Sequence, residues 1–213
     1  MNSQKKMSRR EREKLAHRQE IIEAAERVFV KNGFVNTTIE QVAQEAEFSV
    51  GAIYKFFENK EQLCQSVVDN IINEFSIAFE KEILVQPNPV DALISLIKLR
   101  LYHVEKHGGF FRHLMELKPG ARVLPDMAIP ERWRGVYDEY LKKLSGIFQK
   151  AIDKGWIRKT NPLHAAVAME GVINSFIAFW ERNNFKGSLE ERVQTIKDNF
   201  LKHILLERRK AII

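Results

Sequence analysis

The chain has 213 residues, of which 45% are hydrophobic and 29% charged, and its formal net charge is +6. This composition supports a folded core under a soluble surface. No apolar run approaches the length of a membrane span, and the charged N-terminus lacks the apolar segment of a secretory signal. We therefore expect a cytoplasmic protein that does not engage a membrane. Sparse proline and the near absence of strand alternation predict an all-α fold.

The excess positive charge lies mostly at the N-terminus. Basic residues outnumber acidic ones there, and they are Lys5, Lys6, Arg9, Arg10, Arg12, Lys14 and Arg18. We predict that residues 1–9 form a flexible basic arm. Basic arms of this kind contact nucleic-acid phosphates or enter a minor groove, and we expect this of Arg9 to Arg18. A disordered, solubilising tail is the alternative for the first residues.

The first helix is predicted from about Arg10 to Lys31. Its apolar residues recur at helical spacing and form one stripe, Ile21, Ile22, Ala25, Val28 and Phe29. Asn32-Gly33 ends the helix, because glycine takes the left-handed C-cap conformation without a steric penalty.

Two short helices with abrupt ends are predicted between Gly33 and Leu63. Thr37 or Thr38 caps the first, since each has a Glu or Gln three residues later and can form a capping box. Ser49 caps the second, predicted over residues 50–57. Small residues, Gly51 and Ala52, stand near the start of this second helix. They would let its backbone approach a partner closely, as a recognition helix approaches the DNA major groove.

This stretch resembles the DNA-binding motif of the TetR family of bacterial transcriptional repressors. The matching positions are Gly33-Phe34, Thr37-Thr38, Val42-Ala43, Ala46, Ser49, Gly51, Ile53-Tyr54, Phe57, Lys60-Glu61 and Leu63. One position departs from the family pattern, because Glu47 stands where the family usually has glycine. A left-handed conformation at Glu47 would cost about 1 kcal/mol.

The resemblance implies a helix-turn-helix DNA-binding domain over 10–58 and a larger helical ligand-binding and dimerisation domain over 59–208. The protein would be a repressor that binds a near-palindromic operator as a dimer and is released by a small-molecule effector. The expected DNA-binding residues are Thr38, Ser49, Val50, Gly51, Ala52, Tyr54, Lys55 and Lys60. We expect the residues from Ser49 to Ala52 to face base edges. Thr38 and Lys60 begin helices, where anions bind, and with Tyr54 they are the expected phosphate contacts. Lys55 offers a donor to guanine or phosphate.

The remaining chain predicts further helices. A long one starts at Asn59, reaches about Leu84 and could act as a rigid lever between two domains. The next starts at Pro89 and ends before Gly108-Gly109. A short helix (110–117) and an irregular loop (118–130) follow. The last three helices are predicted over about 130–154, 162–183 and from Ser188 onward.

The last two helices predict a dimer interface. One face of the 162–183 helix carries the small residues Ala168, Gly171, Ser175 and Ala178. The family usually builds its dimer from these two helices, and a two-fold interface suits a near-palindromic site. The alternative is that both apolar stripes pack within one subunit.

An apolar-lined cavity is expected among the helices after the long one. Its polar candidates are His103, His107, Arg112, His113, Glu116, Tyr137, Glu170 and Asn174. Its apolar candidates are Phe110, Phe111, Trp133, Phe176 and Trp180. Glu170 and Asn174 share a face, and their partner is a ligand or a neighbouring helix. The histidines could suggest a metal, but no carboxylate or cysteine stands at clear ligand spacing, so we predict neither metal nor cofactor.

Two other functions stay open from the sequence. The first is a helix-turn-helix protein without a small-molecule switch, in which the core around the predicted cavity would be filled. The second is an enzyme with an appended DNA-binding domain. No nucleophile–base arrangement, phosphate-binding glycine loop or metal motif supports an enzyme, and we predict none.

Overall fold

The computed structural model describes residues 7–116 and 131–206, without the side chains of 111–116 and 131–132. The predicted irregular loop at 118–130 and the residues before Met7 lie outside this description. The helices are α1 (Arg9–Asn36), α2 (Ile39–Glu45), α3 (Val50–Ile53), α4 (Lys60–Ala78), α5 (Pro89–Glu116), α6 (Glu131–Asp153), α7 (Pro162–Arg182), α8 (Leu189–Ile196) and α9 (Lys202–Ile204). The all-α prediction is confirmed. An isolated antiparallel bridge joins Ile157 and Leu205.

The described residues divide into two compact units. The first contains residues up to Asn73 together with a segment that starts at Gly109, and the second contains Glu74–Gly108 and the chain after 120. The predicted boundary at 58/59 therefore differs from this division, which falls inside α4 instead of at its start. The long helix itself is as predicted, because α4 is followed by a π-helical turn, Phe79–Ile83.

The first unit forms around the apolar stripe predicted for α1. Ile21, Ile22 and Phe29 are almost fully buried, as are Val42 of α2 and Ile53 of α3. Gly33 has φ 74° and ψ 161°, so its φ is positive as predicted, but its ψ is extended and not helical. The chain is kinked there, and α1 ends three residues later at Asn36, before α2.

Local caps fix the starts of α2 and α3, but α3 ends at Ile53 and not at residue 57 as predicted. Thr38, and not Thr37, caps α2, and it forms the capping box with Gln41. Thr37 instead donates its hydroxyl proton to the carbonyl of Gly33 at 2.7 Å. Glu47 adopts φ 58° in the turn before α3, so it keeps the left-handed conformation that the family fills with glycine. The chain accepts the strain of about 1 kcal/mol and retains the turn.

Two predictions about the later helices are wrong. The first is the helix end before Gly108 with a separate short helix over 110–117, since α5 continues through both glycines to Glu116. A Cβ on Gly109 would lie 3.0 Å from Val30 Cγ1 of α1, so this glycine permits close helix packing and does not end the helix. The second is that no apolar run approaches the length of a membrane span. The α7 helix is long and apolar enough to cross a membrane, by length and composition alone. Its buried residues, Ala166, Met169 and Ile173, pack in the core of the second unit.

Candidate functional site

The outer surface of α3 and the turn that follows it carry the residues from Ser49 to Lys55 that are predicted to contact DNA. Ser49 caps the helix by accepting a hydrogen bond from the Ala52 amide at 3.2 Å. Ile53 faces the core, which leaves Gly51, Tyr54 and Lys55 exposed. Val50 and Ala52 are half-buried beside them. A Cβ on Gly51 would meet nothing within 4 Å. Internal packing therefore does not require glycine at this position.

Thr38 and Lys60 lie at the N-termini of α2 and α4, as predicted, but their side chains differ in what they contact. The Thr38 hydroxyl accepts a hydrogen bond from Gln41 N at 3.3 Å, and the residue is exposed. The Lys60 ammonium donates to the carbonyls of Phe34, Val35 and Thr37 at 2.8, 3.2 and 2.8 Å. It also lies 4.6 Å from the centroid of the Phe34 ring. These bonds use all three ammonium protons of Lys60.

The basic N-terminal region is helical from Arg9 onward. Ser8 caps α1 in a capping box with Glu11, which the sequence analysis did not predict. Arg18, expected near phosphate, donates to Ser66 Oγ at 2.9 Å, and its guanidinium carbon lies 5.0 Å from the centre of the Phe57 ring. Its contacts therefore join α1 to α4.

A second set of polar groups lies between α5, α6 and α7, and we call it the Arg100 cluster: Arg100, Tyr140, Glu170 and Asn174. Arg100 Nη2 donates to Asn174 Oδ1 at 2.8 Å and lies 3.4 Å from Glu170 Oε2. The Tyr140 hydroxyl donates to Glu170 Oε1 at 2.6 Å. Neighbouring helices therefore supply the partners that the sequence analysis left open for Glu170 and Asn174.

Aromatic rings surround this cluster. Phe75 lies beside the Arg100 guanidinium carbon at 5.7 Å and makes an edge contact with Tyr140 at 5.5 Å. Phe79 contacts the same tyrosine at 5.1 Å. Burial and the Glu170 carboxylate raise the pKa of Tyr140 well above its ordinary value. Burial is the largest influence on the pKa of Arg100 and lowers it, but the Glu170 carboxylate together with Tyr140 and Tyr137 raises it further, so the net shift of this pKa is upward.

The predicted histidines of α5 adjoin the cluster. The His103 ring is 5.5 Å from that of Phe75 and 5.4 Å from that of His107. Burial, followed by the His107 ring, lowers the pKa of His103 to about 4, so His103 is neutral at neutral pH. His107 Nε2 lies 3.5 Å from Glu74 Oε2. Within the described residues, no group of three His, Cys, Asp or Glu side chains could hold a metal ion.

The other predicted ligand residues do not form one group. Trp180 is buried and stacks on Phe176 at 5.3 Å, and Tyr137 contacts Tyr140 at 6.1 Å. Trp133 is half-buried near the start of α6. Phe110 belongs to the first unit, where it packs 6.1 Å from Phe29 of α1. The side chains of Phe111, Arg112, His113 and Glu116 lie outside the description.

Sequence reasoning missed two members of the cluster. Arg100 stands in an apolar run of α5 that ends in Tyr102, and Tyr140 stands in a polar stretch of α6. A charged residue within an apolar helical stripe is a signal for a buried partner, and Arg100 could have been found by it. Tyr140 had no such signal, because its burial depends on how α6 packs.

Two recesses of the described chain lie away from this cluster. One of about 670 Å³ is lined by residues of α1 and α2, including Val28, Gln41 and Glu45. The other, of about 300 Å³, is lined by Ser175, Phe176 and Phe179 of α7. Neither is lined by a member of the Arg100 cluster, so the apolar cavity expected there stays a prediction.

The outer face of α7 is apolar and exposed. Leu163, Val167 and Phe179 have 45%, 45% and 58% of their surface accessible. The small residues predicted to allow helix approach lie on the same face and are exposed, Ala168, Gly171, Ser175 and Ala178. A Cβ on Gly171 would meet nothing within 4 Å. This face has no packing partner among the described residues of its own subunit that would explain its composition.

Comparisons with known proteins agree with the helix-turn-helix. Residues 21–67 match the family described as bacterial regulatory proteins, tetR family. The uncharacterised helix-turn-helix transcriptional regulator YfiR of Bacillus subtilis is 27% identical over 194 residues, which are 81% of this chain and 85% of YfiR.

Two solved structures share the fold over most of the chain. FadR from Bacillus subtilis, in complex with stearoyl-CoA, superposes with a TM-score of 0.68 at 21% identity over 87% of this chain and 98% of FadR. A putative transcriptional regulator from Saccharomonospora viridis, in complex with choline, superposes with a TM-score of 0.74 at 16% identity over 91% and 100% of the two chains. Both likenesses concern the fold, since the identities are low.

Proposed function

We propose that this chain, a transcriptional regulator of the TetR family, is a repressor that binds a near-palindromic operator as a homodimer and leaves it when a small-molecule effector binds. Its relatives are bacterial transcription regulators, so we propose a cytoplasmic protein without enzymatic activity. DNA, the effector and a second copy of the chain are its proposed partners.

The observation that carries the proposal is the open surface at Gly51. A glycine inside a helix costs about 1 kcal/mol relative to alanine, and nothing in the described protein uses the space that a Cβ would fill. The neighbouring Tyr54 and Lys55 are exposed and can donate to phosphates or to guanine. An external partner that approaches the backbone closely explains all three, and the floor of a DNA major groove is such a partner.

The apolar outer face of α7 supports the homodimer. A large apolar face in water is unfavourable, and small residues along it allow a second helix to approach closely. We propose that the same face of a second copy covers it, with α8 beside it. A two-fold axis through this contact pairs each residue with its counterpart and places two recognition helices on one operator.

The α4 helix offers a route for an effector signal. It contributes residues up to Asn73 to the first unit and from Glu74 to the second. A continuous helix moves as a rigid element, so a shift of its second-unit end would displace its N-terminus, where Lys60 holds the end of α1. The recognition helices of a dimer must stay about 34–36 Å apart to bind successive major grooves, and such a displacement would release the DNA.

Two solved proteins of this fold hold chemically different small molecules. FadR in the comparison above holds stearoyl-CoA, and the regulator from Saccharomonospora viridis holds choline. Each has a substantial apolar or methylated part, which agrees with an effector that is largely apolar in this chain. The polar groups of such an effector would meet the polar members of the Arg100 cluster.

A DNA-binding protein without a small-molecule switch is the second candidate. One observation favours it, because Glu170 and Asn174 already have protein partners and neither recess is lined by the Arg100 cluster. A filled core at this place needs no ligand.

The experiment that tests DNA binding compares the wild type with Tyr54→Ala and Tyr54→Phe on DNA from the protein's own promoter region. We expect Tyr54→Ala to lose the electrophoretic shift, since the exposed phenol no longer reaches a phosphate. Tyr54→Phe shows how much of the loss depends on the hydroxyl. Unchanged binding by Tyr54→Ala would contradict the assigned surface, and no binding by the wild type would contradict the function.

A further inference from the structure

We propose that the Arg100 cluster is the effector site and that the effector is an organic cation with an apolar body, which replaces the Arg100 guanidinium. This rests on the proposed function, since it names the ligand class of that regulator. Arg100 would be an internal occupant that the effector displaces.

Within the described chain, the Arg100 guanidinium lies beside groups that bind cations. Asn174 Oδ1 lies 2.8 Å from Nη2, and Glu170 Oε2 lies 3.4 Å from it. The centroid of the Phe75 ring is 5.7 Å from the guanidinium carbon, within the range of cation–π attraction. Two acceptor oxygens and an aromatic ring would receive an ammonium or guanidinium ligand in the same way.

The acceptor side of this site is fixed. The Glu170 side chain is only 3% exposed, and the Tyr140 hydroxyl holds its second oxygen at 2.6 Å. The Tyr140 ring is in turn fixed by edge contacts with Phe75 and Phe79. The carboxylate and the aromatic wall are therefore in place before a ligand arrives, which lowers the cost of binding.

The cation side is movable. The Arg100 side chain is 25% exposed and has a long flexible stem, which would let its head move towards water when a ligand takes its place. Its fit is incomplete, because Nε is buried without a hydrogen-bond partner. Its 3.4 Å separation from Glu170 also exceeds the usual length of a charge-assisted hydrogen bond. A ligand that satisfies the acceptors better can therefore displace it.

The difference in exposure between Glu170 and Arg100 disfavours an anionic effector at this site. An anion would take Arg100 away from Glu170 and leave a 3% exposed carboxylate without its cation. Removing one partner of a buried ion pair is strongly unfavourable. Exchange of the partly exposed arginine for another cation keeps the buried carboxylate paired, so it is the less costly exchange.

The test uses the full-length chain and three probes that share one body: phenylbutylamine, phenylbutanol and phenylbutyrate. Isothermal titration calorimetry measures the three affinities. We expect the amine to bind at least about tenfold more tightly than the alcohol, and the carboxylate to bind most weakly. Equal binding of amine and alcohol, or tighter binding of the carboxylate, would overturn the proposal.

Variants identify the site. Arg100→Met removes the internal competitor, so we expect it to bind the amine about tenfold more tightly and the alcohol unchanged. Glu170→Gln should lose the preference for the amine, while Glu181→Gln, at an exposed position of the same helix, keeps it. Tyr140→Phe is the second test should Arg100→Met fail to fold, and it should weaken amine binding only. Tighter amine binding by Glu170→Gln would contradict the assignment.

Operator binding is measured separately on the unliganded wild type, so that the two failures can be told apart. Amine binding in the expected variant pattern by a protein that does not bind DNA contradicts the proposed function and leaves the site assignment standing. A protein that binds DNA but shows no preference for the amine overturns the site assignment alone.

Discussion

The α2–α3 segment and the Arg100 cluster place their functional groups in opposite ways. The segment buries its apolar side chains and leaves Gly51, Tyr54 and Lys55 exposed. The cluster directs Arg100, Glu170 and Tyr140 at one another inside the second unit. An outward surface can bind a partner without any internal change, whereas an inward cluster must give up a contact to accept one. The first arrangement suits constant DNA binding, and the second suits a switch.

The largest expected effect concerns dimerisation, which the proposed DNA-binding surface of α3 needs in order to bind an operator in two copies. We expect Gly171→Leu to prevent dimerisation, because a leucine side chain would hold a second α7 away from the exposed face. Loss of the pair removes the benefit of two linked half-sites, which is worth about 100-fold or more in operator affinity. Analytical ultracentrifugation gives the oligomeric state, and fluorescence anisotropy gives the affinity.

A matched control for this variant is Gly146→Leu on α6, where a Cβ also meets nothing within 4 Å. It should remain dimeric. A dimeric Gly171→Leu with full operator affinity would mean that another surface forms the dimer.

The next effect concerns the open surface at Gly51. We expect Gly51→Ala to stabilise the protein by about 0.5–1 kcal/mol, since alanine is the better helix residue and the methyl group meets nothing in the described chain. We expect operator affinity to fall about tenfold, because the methyl group stands where the DNA approaches. Thermal unfolding and anisotropy measure the two changes, which should have opposite signs. A variant that is stabilised and binds DNA normally would show that α3 does not approach the groove at this residue.

Lys60 and Lys55 of the first unit differ in whether the protein itself already uses their charge. Lys60 bonds to three carbonyls, whereas Lys55 is exposed. We expect Lys60→Gln to lower the free energy of unfolding by about 1–3 kcal/mol and to leave the salt dependence of operator affinity unchanged. Lys55→Gln should reduce the slope of log affinity against log salt by about 0.9 per lost phosphate contact. A reduced slope for Lys60→Gln would instead support the contact between Lys60 and a phosphate that the sequence predicts.

The smallest expected effect is a pH dependence of folding stability that arises from His103, beside the Arg100 cluster. The pKa of His103 is about 4 in the folded chain and about 6.5 when unfolded. Between these values the unfolded chain binds a proton that the folded chain does not, so stability falls as the pH decreases from 6.5 to 4. His103→Gln should remove a dependence on the order of 1 kcal/mol, discounted because the ring is only partly buried. The measurement is the difference in unfolding free energy between wild type and variant across this range. A pH-independent difference would contradict the assignment.

The structure follows from the sequence most closely where a local rule decides it. The caps at Ser49 and Ser188, the end of α6 at Gly155 and the apolar stripe of α1 follow from neighbours within one or two turns. Glu47 shows the limit of such rules, because only the rest of the turn decides whether a strained residue keeps its conformation.

Contacts between distant residues could not be predicted in the same way. Lys60 contacts carbonyls 23 to 26 positions earlier, and Arg100 contacts Asn174 across 74 positions. The helix end expected at Gly108-Gly109 is wrong for a related reason, since the side chain that explains Gly109 belongs to α1. Packing between helices determines which polar groups meet, and the periodicity of apolar residues along one helix does not specify this packing.

The two glycines of α5 have a mechanical consequence. Both α4 and α5 contribute residues to both units, and the division falls between Asn73 and Glu74 in one helix and between Gly108 and Gly109 in the other. Two adjacent glycines weaken a helix by about 2 kcal/mol relative to alanines, and α4 has none at its crossing. The two connections therefore differ in stiffness. We therefore expect α5 to bend more readily than α4 at the division between the units.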